Sequence, residues 1–285
     1  MSRLAELEGH SLGPAEVAWD ERDTLLYALG VGAGQADPAE CLALTTENSA
    51  GIRHIVLPTF AIGLLQYFEP AIPFGDIGPG NRLHAEQQLD MFGVIPSTGC
   101  GTVTKTVTNV YDKGKAAIVV VVSELILAGT TTPLARSTSS VFIRGAGGFG
   151  GDRGPSDSTK PPKREPDREL RASTRHDQAL LFRLSGDRNP LHSDPVAAAP
   201  FGFAKPILHG LCTYGIAARL LFETLCDGDP ERFRSIGGRF TKPVIPGEQL
   251  TVPVWVEEDA ARFQVLDQSG GVVIDKGKID MQPVN

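Results

Sequence analysis

Strand-like runs follow an apolar helical stretch in the first part of the chain. The stretch begins at Leu57-Pro58 and extends to about Phe68, which predicts a helix. Four runs with strand character come after it, at 83–92, 101–111, 116–127 and 134–144. Residues 112–114, Asp-Lys-Gly, separate the second run from the third and are typical of a hairpin turn. The pattern therefore predicts one helix followed by an antiparallel sheet.

The same order of elements recurs in the second part of the chain. An apolar stretch from Pro206 to Leu225 predicts a helix, and four runs follow at 236–242, 249–257, 262–267 and 272–281. This helix is apolar on almost every side, which indicates a buried helix. A long helix wrapped by an antiparallel sheet, occurring twice, predicts an α+β protein with a double hot-dog fold. The two parts share almost no letters, which favours an old duplication in which the second part kept the chemical residues.

A change of composition between Gly145 and Arg168 divides the two parts. This segment is first rich in glycine and then rich in proline and charge, as exposed connectors are. We therefore predict an N-terminal half at 1–150, a linker at 151–168 and a C-terminal half at 169–285.

Composition and charge narrow the class of protein. The 285 residues are 41% hydrophobic and 21% charged, which is ordinary for a globular protein. The net charge of −7 argues against nucleic acid as a general partner. No apolar run reaches the roughly 20 residues that span a membrane, and no apolar signal-peptide core is present near Met1, so we expect a cytoplasmic protein. The four cysteines are far apart and predict reduced, mostly buried thiols.

A polar trio lies just before the second helix. Asp187, Asn189 and His192 fall within six residues, and a carboxylate, an amide and an imidazole so close together can hold and activate water. Asp and Asn also cap turns, and a histidine can be a satisfied core residue, so the trio alone leaves both interpretations open. His209 lies in the predicted first turn of the helix, whose free N–H groups can stabilise an oxyanion. Asp187, His192 and His209 lack a regular ligand spacing, and we expect no metal.

The glycine-rich segment from Gly145 to Gly150 matches GxGxxG by letter. A dinucleotide site needs a helix directly after these glycines, whereas here a Pro-rich and charged connector follows. We interpret the segment as a flexible exit from the N-terminal half.

Several segments in order along the chain resemble one family. GDRNPLHSDP and GFAKPILHGLCTYG are similar to the signature of the MaoC-like hydratases, and more closely to the (R)-specific 2-enoyl-CoA hydratase 2 enzymes. Further matches are YALGVGAG, VLPTF, HAEQ, DKG, GAGGFGG and RFTKPVIPGE, which together extend over nearly the whole chain. The resemblance implies a double hot-dog fold in which the C-terminal half provides the active site and the degenerate N-terminal half makes room for an acyl chain.

The resemblance also implies roles for individual residues. Asp187 and His192 form the catalytic acid/base pair, Asn189 helps to hold the water, and Gly210 presents its N–H to the thioester oxygen. The positions expected to contact an acyl-CoA are His84, Ala85, Lys113, Arg188, Pro190, Leu191 and Phe240. Glu47 matches an acidic family residue, although loop length varies there. Without the resemblance, His84 is interpreted as an exposed strand residue and Lys113 as a solvated hairpin lysine.

The implied activity is reversible hydration of a trans-2-enoyl-CoA to a (3R)-3-hydroxyacyl-CoA, with no cofactor beyond the CoA thioester substrate. The resemblance implies a homodimer without nucleic-acid or membrane partners. Two alternatives stay open: a hot-dog acyl-CoA thioesterase, and a non-catalytic acyl-CoA-binding partner subunit. The D-x-N-x-x-H pattern argues against both.

Overall fold

The structure of the protein is a computed structural model. The structure describes residues 4–67, 71–74, 77–78, 81–156 and 160–283. Phe68, the predicted end of the first helix, lies outside these residues.

Among the described residues, ten strands form a single antiparallel sheet that runs through both halves of the chain. The strands of the N-terminal half are β1 (Ser11–Trp19), β2 (Arg82–Met91), β3 (Gly99–Asp112), β4 (Ala116–Leu127) and β5 (Pro133–Arg144). Those of the C-terminal half are β6 (Arg168–Ser173), β7 (Phe233–Phe240), β8 (Gln249–Val256), β9 (Ala260–Leu266) and β10 (Val272–Met281).

The strand order shows that the two halves are built alike. The order across the sheet is β1-β3-β4-β5-β2-β7-β10-β9-β8-β6. Each half therefore has its first strand at an outer edge and its second strand at the centre, where β2 pairs with β7. Glu86 of β2 lies opposite Arg239 of β7, and Arg239 Nε donates a hydrogen bond to Glu86 Oε1 over 2.6 Å. This ion-paired contact joins the halves at their common centre.

The helices differ strongly between the halves. They are α1 (Glu21–Gly30), α2 (Leu42–Thr45), α3 (Ala61–Gln66), α4 (Gln178–Phe182), α5 (Pro195–Ala198) and α6 (Gly210–Leu225). The 16-residue α6 buries most of its length, including Tyr214, Leu221 and Phe222, in the largest hydrophobic core. The prediction that α6 is a buried helix is confirmed.

The prediction of a second long helix in the N-terminal half is wrong. The described residues form a 3₁₀ turn at Pro58–Phe60 and then the six-residue α3. Pro70 and Pro73 follow in the sequence, and proline ends helices because it lacks an N–H and clashes with the preceding turn. The N-terminal sheet therefore encloses a much shorter helix than the C-terminal sheet does.

The start of α6 also differs from the prediction, because the helix begins at Gly210 rather than at Pro206. His209, its N-cap residue, has an extended ψ of 135°. Leu208 N donates a hydrogen bond to the carbonyl of Val244 over 2.8 Å, so this segment pairs with another loop before the helix begins.

The glycine-rich segment after β5 is held in place, and its interpretation as a flexible exit is wrong. Asp112 Oδ1 accepts hydrogen bonds from the N–H groups of Gly148 and Gly114, each over 2.8 Å, and its Oδ2 accepts one from Gly150 over 2.7 Å. These backbone donors, led by Gly148, hold the pKa of Asp112 at about 2. The segment is thus an ordered loop whose backbone is held by the Asp112 carboxylate.

Within the described residues, no helix is both long and apolar enough to cross a membrane.

Candidate active site

The site begins where a short helical segment turns sharply between the halves. A 3₁₀ turn at Arg183–Ser185 extends α4 and ends at Gly186, whose φ of +128° favours glycine. A Cβ at this glycine would also lie within 3.0 Å of Tyr67 side-chain atoms. The Tyr67 ring therefore packs directly on the backbone that leads into Asp187.

Local side-chain bonds shape the turn that follows. Asp187 Oδ1 accepts a hydrogen bond from Asn189 N over 3.1 Å, and Asn189 Oδ1 accepts one from Leu191 N, also over 3.1 Å. Asn189 is the N-cap of the 3₁₀ turn that contains His192. Asp and Asn therefore do cap turns here, as the simpler interpretation of the trio held. The amide nitrogen Nδ2 of Asn189 is the group that could reach a water.

His192 is buried and has a defined tautomer. Its Nδ1 lies 2.9 Å from the carbonyl oxygen of Ile207, which can only accept. Nδ1 therefore carries the proton, and Nε2 of the neutral ring presents a lone pair. Burial lowers the pKa of His192, and its hydrogen bond to Ile207 opposes that shift. A neutral ring with a free Nε2 is the form that a general base needs.

His209 contacts both members of the expected catalytic pair. Its Nε2 donates a hydrogen bond to the backbone carbonyl of Asp187 over 3.2 Å. Its ring stacks on that of His192, with ring centroids 3.8 Å apart and planes tilted by 30°. The ring also packs near that of Phe182, with ring centroids 5.0 Å apart. Burial, and then repulsion from His192, lower the pKa of His209 to about 3, so the ring is neutral at pH 7.

A carboxylate oxygen of Asp187 and one ring nitrogen each of His192 and His209 lie within 4.8 Å of one another. A single water can bridge groups at this separation. The set also has the chemistry of a metal site. Each ring has one nitrogen engaged with a backbone carbonyl, Nδ1 of His192 with Ile207 and Nε2 of His209 with Asp187, which leaves one nitrogen of each ring for a water or a ligand. Metal-free chemistry stays a prediction.

The N-terminus of α6 lies next to this cluster. Gly210 is the first residue of the helix, so its N–H has no acceptor within the helix. A Cβ at Gly210 would lie 3.2 Å from Phe240 Cε1, so the ring covers the backbone closely there. A free N–H at the positive end of a helix can stabilise a developing negative charge.

The centre of the sheet opens beside Phe240. The β2–β7 ladder runs from Asp90 to Glu86 on β2 and stops before Ala85. Ala85 is also the extra residue of a bulge against β5, because His84 and Glu86 face consecutive residues of that strand. The His84 ring lies edge-on to Phe240, with ring centroids 4.9 Å apart. Burial lowers the pKa of His84 to about 4. His84, Ala85, Phe240 and Gly210 are thus brought to one place.

Two further predicted residues lie away from this cluster. Lys113 is at the β3–β4 hairpin, three strands from β2, which places it about 14 Å away across the sheet. Its Nζ donates a hydrogen bond to the carbonyl of Arg153. Glu47 is exposed in the turn after α2, and no contact among the described residues joins it to the cluster.

The remaining predicted contacts lie in the turn itself. Arg188 and Pro190 are exposed, and Leu191 is half-buried. They form the solvent side of the turn between Asp187 and His192, where they could meet a ligand but not the reacting atoms.

A cleft of about 410 Å³ approaches the cluster from the N-terminal half. Its walls come mainly from β1, α1, α3 and the 3₁₀ turn before Gly186, and they include Trp19, Leu26, Phe60 and Leu64. Tyr67 and Gly186 line its inner side, next to Asp187. The lining also includes the polar residues Glu16, Asp23 and Ser185, and a cleft of this volume has room for an extended aliphatic chain along its apolar side chains.

Sequence reasoning missed two participants. Tyr67 donates a hydrogen bond to Asp187 Oδ2 over 3.3 Å, yet it is distant in sequence and belongs to no polar pattern. The sequence places His209 only in the predicted first turn of the helix, whereas the structure shows its ring in contact with both Asp187 and His192. The signal in the sequence for this role was the position of His209 at the end of a Pro-rich turn, directly before the helix.

Comparisons with known proteins agree with this architecture. Residues 18–145 match the family described as the MFE-2 hydratase 2 N-terminal domain, and residues 157–277 match the MaoC like domain. The chain is 44% identical to 3-hydroxyacyl-thioester dehydratase Y of Mycobacterium tuberculosis, over 94% of each chain. It is 36% identical to probable enoyl-CoA hydratase 2 of Dictyostelium discoideum, over 96% of this chain and 95% of that protein.

Solved structures define the fold. A MaoC-like dehydratase from Phytophthora capsici superposes with a TM-score of 0.86 at 31% identity, over 98% of this chain and 97% of that one. A Mycobacterium tuberculosis protein with a double hot-dog fold superposes with a TM-score of 0.58 at 13% identity, over 96% of each chain. The predicted double hot-dog fold is confirmed. This fold, together with the polar cluster at the start of α6, is that of a MaoC-like protein. The chain belongs to the hydratase 2 family of MaoC-like dehydratases.

Proposed function

We propose that this chain catalyses the reversible addition of water to a trans-2-enoyl-CoA, giving a (3R)-3-hydroxyacyl-CoA in lipid metabolism. The observation that carries the proposal is the pairing of Asp187 with a His192 whose Nε2 is left free by the Ile207 carbonyl. The names of the relatives, a thioester dehydratase and an enoyl-CoA hydratase, support the same reaction class.

The thioester carbonyl makes the β-carbon of the substrate electrophilic. A water held between Asp187 and His192 loses a proton as its oxygen attacks that carbon. The same two groups share delivery of a proton to the α-carbon, and the reverse dehydration uses them in the opposite order. Each proton transfer of this kind contributes about a hundred- to ten-thousand-fold.

Negative charge moves onto the thioester oxygen during the attack. The Gly210 N–H and the positive end of α6 stabilise this charge in a site covered by Phe240. His84 and Ala85 border the opening between β2 and β7 and contact the thioester end of the substrate. This chemistry uses the chain's own acid and base groups, with no cofactor beyond the substrate.

The rest of the substrate extends away on both sides. The cleft beside Tyr67 takes the acyl chain into the N-terminal half. Arg188, Pro190 and Leu191 contact the substrate from the surface of the turn. Lys113, about 14 Å from β2, contacts the nucleotide end of CoA. Glu47 provides an acidic side chain that the family resemblance relates to activity.

The protein is proposed to act as a cytoplasmic homodimer. Light scattering after gel filtration tests the dimer, and a measured mass equal to that of one chain would contradict it.

The assay follows loss of enoyl thioester absorbance with crotonyl-CoA, together with free thiol and the chirality of the product. Loss of absorbance without thiol, and an R product, is expected. Release of free CoA would favour a thioesterase instead. No reaction, with binding alone, would favour a non-catalytic acyl-CoA-binding subunit.

A further inference from the structure

The two halves meet through a side chain that the resemblance assigns no role. Tyr67 follows α3 in the N-terminal half as its C-cap residue, while Asp187 belongs to the C-terminal half. Tyr67 Oη lies 3.3 Å from Asp187 Oδ2. A phenol facing a carboxylate oxygen donates a hydrogen bond to it.

The phenol stays a donor under ordinary conditions. Burial, and then the negative charge of Asp187, raise the pKa of Tyr67 well above its usual value. The other groups that act electrostatically on Tyr67 are Tyr27 and Cys212, and burial raises the pKa of each, so both stay protonated and uncharged. Among the described residues, Asp187 is the hydrogen-bond partner of the Tyr67 hydroxyl.

The position of the phenol is fixed by packing. Its ring lies against Gly186, where any larger residue would collide with it and would also adopt an unfavourable φ of +128°. Gly186 directly precedes Asp187, so the ring sets the backbone as well as the carboxylate. A purely structural contact would require the ring but not the hydroxyl.

The two carboxylate oxygens are held from different directions. Oδ1 accepts from Asn189 N within the turn, and Oδ2 faces Tyr67 from the opposite half. Two donors from different parts of the chain restrict rotation of the carboxylate, one oxygen of which lies within 4.8 Å of a ring nitrogen of His192. A carboxylate that can rotate loses alignment with the water it must activate.

We propose that Tyr67 is a positioning residue that orients the Asp187 carboxylate toward the catalytic water, so that the degenerate half contributes directly to the reaction geometry. This inference rests on the proposed hydratase function. It also makes Tyr67 the place where the acyl cleft and the catalytic carboxylate meet, since its side chain touches both.

The test compares Tyr67→Phe with wild type on crotonyl-CoA, a chain too short to fill the cleft. The variant keeps the ring on Gly186 and removes only the hydroxyl. We expect kcat to fall by about tenfold, the effect of one hydrogen bond to a charged group, with KM unchanged. Rates are divided by the folded fraction from a thermal melt, so loss of fold is not counted as loss of rate.

The matched control is Tyr27→Phe. Tyr27 is buried in the same core, with its ring centroid 5.8 Å from that of Phe60 and 6.1 Å from that of Phe182. Burial raises the pKa of its phenol, and no hydrogen bond of the described residues joins it to Asp187. We expect its kcat to equal that of wild type.

A second comparison removes the Asp187 carboxylate, the hydrogen-bond partner of Tyr67. In an Asp187→Asn background, assayed at high enzyme concentration, Tyr67→Phe should cause no further loss. An undiminished kcat in Tyr67→Phe would overturn the inference, as would an equal loss in Tyr27→Phe or an additive loss in Asp187→Asn. A wild type that fails to hydrate crotonyl-CoA would instead contradict the proposed function.

Discussion

The His209 ring stacks on the ring of His192 at a centroid distance of 3.8 Å while its Nε2 donates to the carbonyl of Asp187. One buried side chain therefore positions both proposed catalytic residues. It does so from the N-cap of α6, one residue before the Gly210 N–H that would bind the thioester oxygen. The base, the carboxylate and the oxyanion donor thus share one rigid support.

We predict that His209→Phe will keep an aromatic surface against His192 but leave the Asp187 carbonyl without its donor. The free energy of unfolding should fall by about 1–3 kcal/mol, the cost of an unsatisfied buried group, and kcat should fall with it. Urea unfolding and crotonyl-CoA hydration measure the two effects. The exposed His176 offers a control, because His176→Phe should change neither. A free energy of unfolding and a kcat in His209→Phe equal to those of wild type would show that this hydrogen bond contributes to neither stability nor activity.

Stability should depend on pH through the same histidine. The pKa of His209 is about 3 in the folded protein and about 6.5 in an unfolded chain. Between these values the unfolded state binds more protons, so stability is fully present above about pH 6.5 and is lost as the pH falls toward 3. The slope is about 1.4 kcal/mol per pH unit for one such group.

Urea unfolding of wild type and His209→Phe at pH 7 and pH 5 checks this dependence. Wild type should lose more stability between the two pH values than the variant does. Equal losses would show that His209 does not titrate as a buried neutral ring.

The rate of hydration should follow the protonation of His192. Burial lowers the pKa of His192, so the neutral base persists below its usual pKa of about 6.5. kcat/KM should therefore hold as the pH falls to about 6.5 and decline only below it. A pH profile with crotonyl-CoA measures this, and a decline centred above about 6.5 would contradict a buried neutral base.

Gly186 should not accept a side chain. Gly186→Ala places a Cβ within 3.0 Å of Tyr67 atoms in a backbone conformation with φ of +128°. We expect the free energy of unfolding to fall by about 1–3 kcal/mol and kcat to fall because Asp187 moves. Gly270→Ala is the control, since it also has a positive φ of +79° but no atom within 4 Å of its added Cβ. Equal activity losses in both variants would argue against a special contact at Gly186.

The sequence predicted all eight inner strands, of which β3, β4, β8 and β10 are rich in β-branched residues. It missed β1 and β6, which are the outer edges of the sheet. Their residues are mostly exposed or half-exposed, and β1 contains Pro14, as an edge strand can. Edge strands bury little apolar surface, so they leave a weak pattern in the sequence.

The candidate site likewise divides into residues that the sequence predicted and residues that it missed. Asp187, Asn189 and His192 are neighbours in sequence, so local spacing and the resemblance found them. Tyr67 is 120 residues from Asp187, and the α3 segment that carries it has no polar pattern. His209 was visible as a residue but not as a contact, because its stacking on His192 depends on how the turn from 193 to 208 folds back.

The most direct measurement of the central claim is crotonyl-CoA hydration by wild type, Asp187→Asn and His192→Gln. Each substitution keeps the size of its side chain approximately while removing acid/base function. Wild type should form the R alcohol, and each variant should lose about a hundred- to ten-thousand-fold in kcat at an unchanged melting temperature. Full activity in either folded variant would contradict the assignment of water activation to Asp187 and His192.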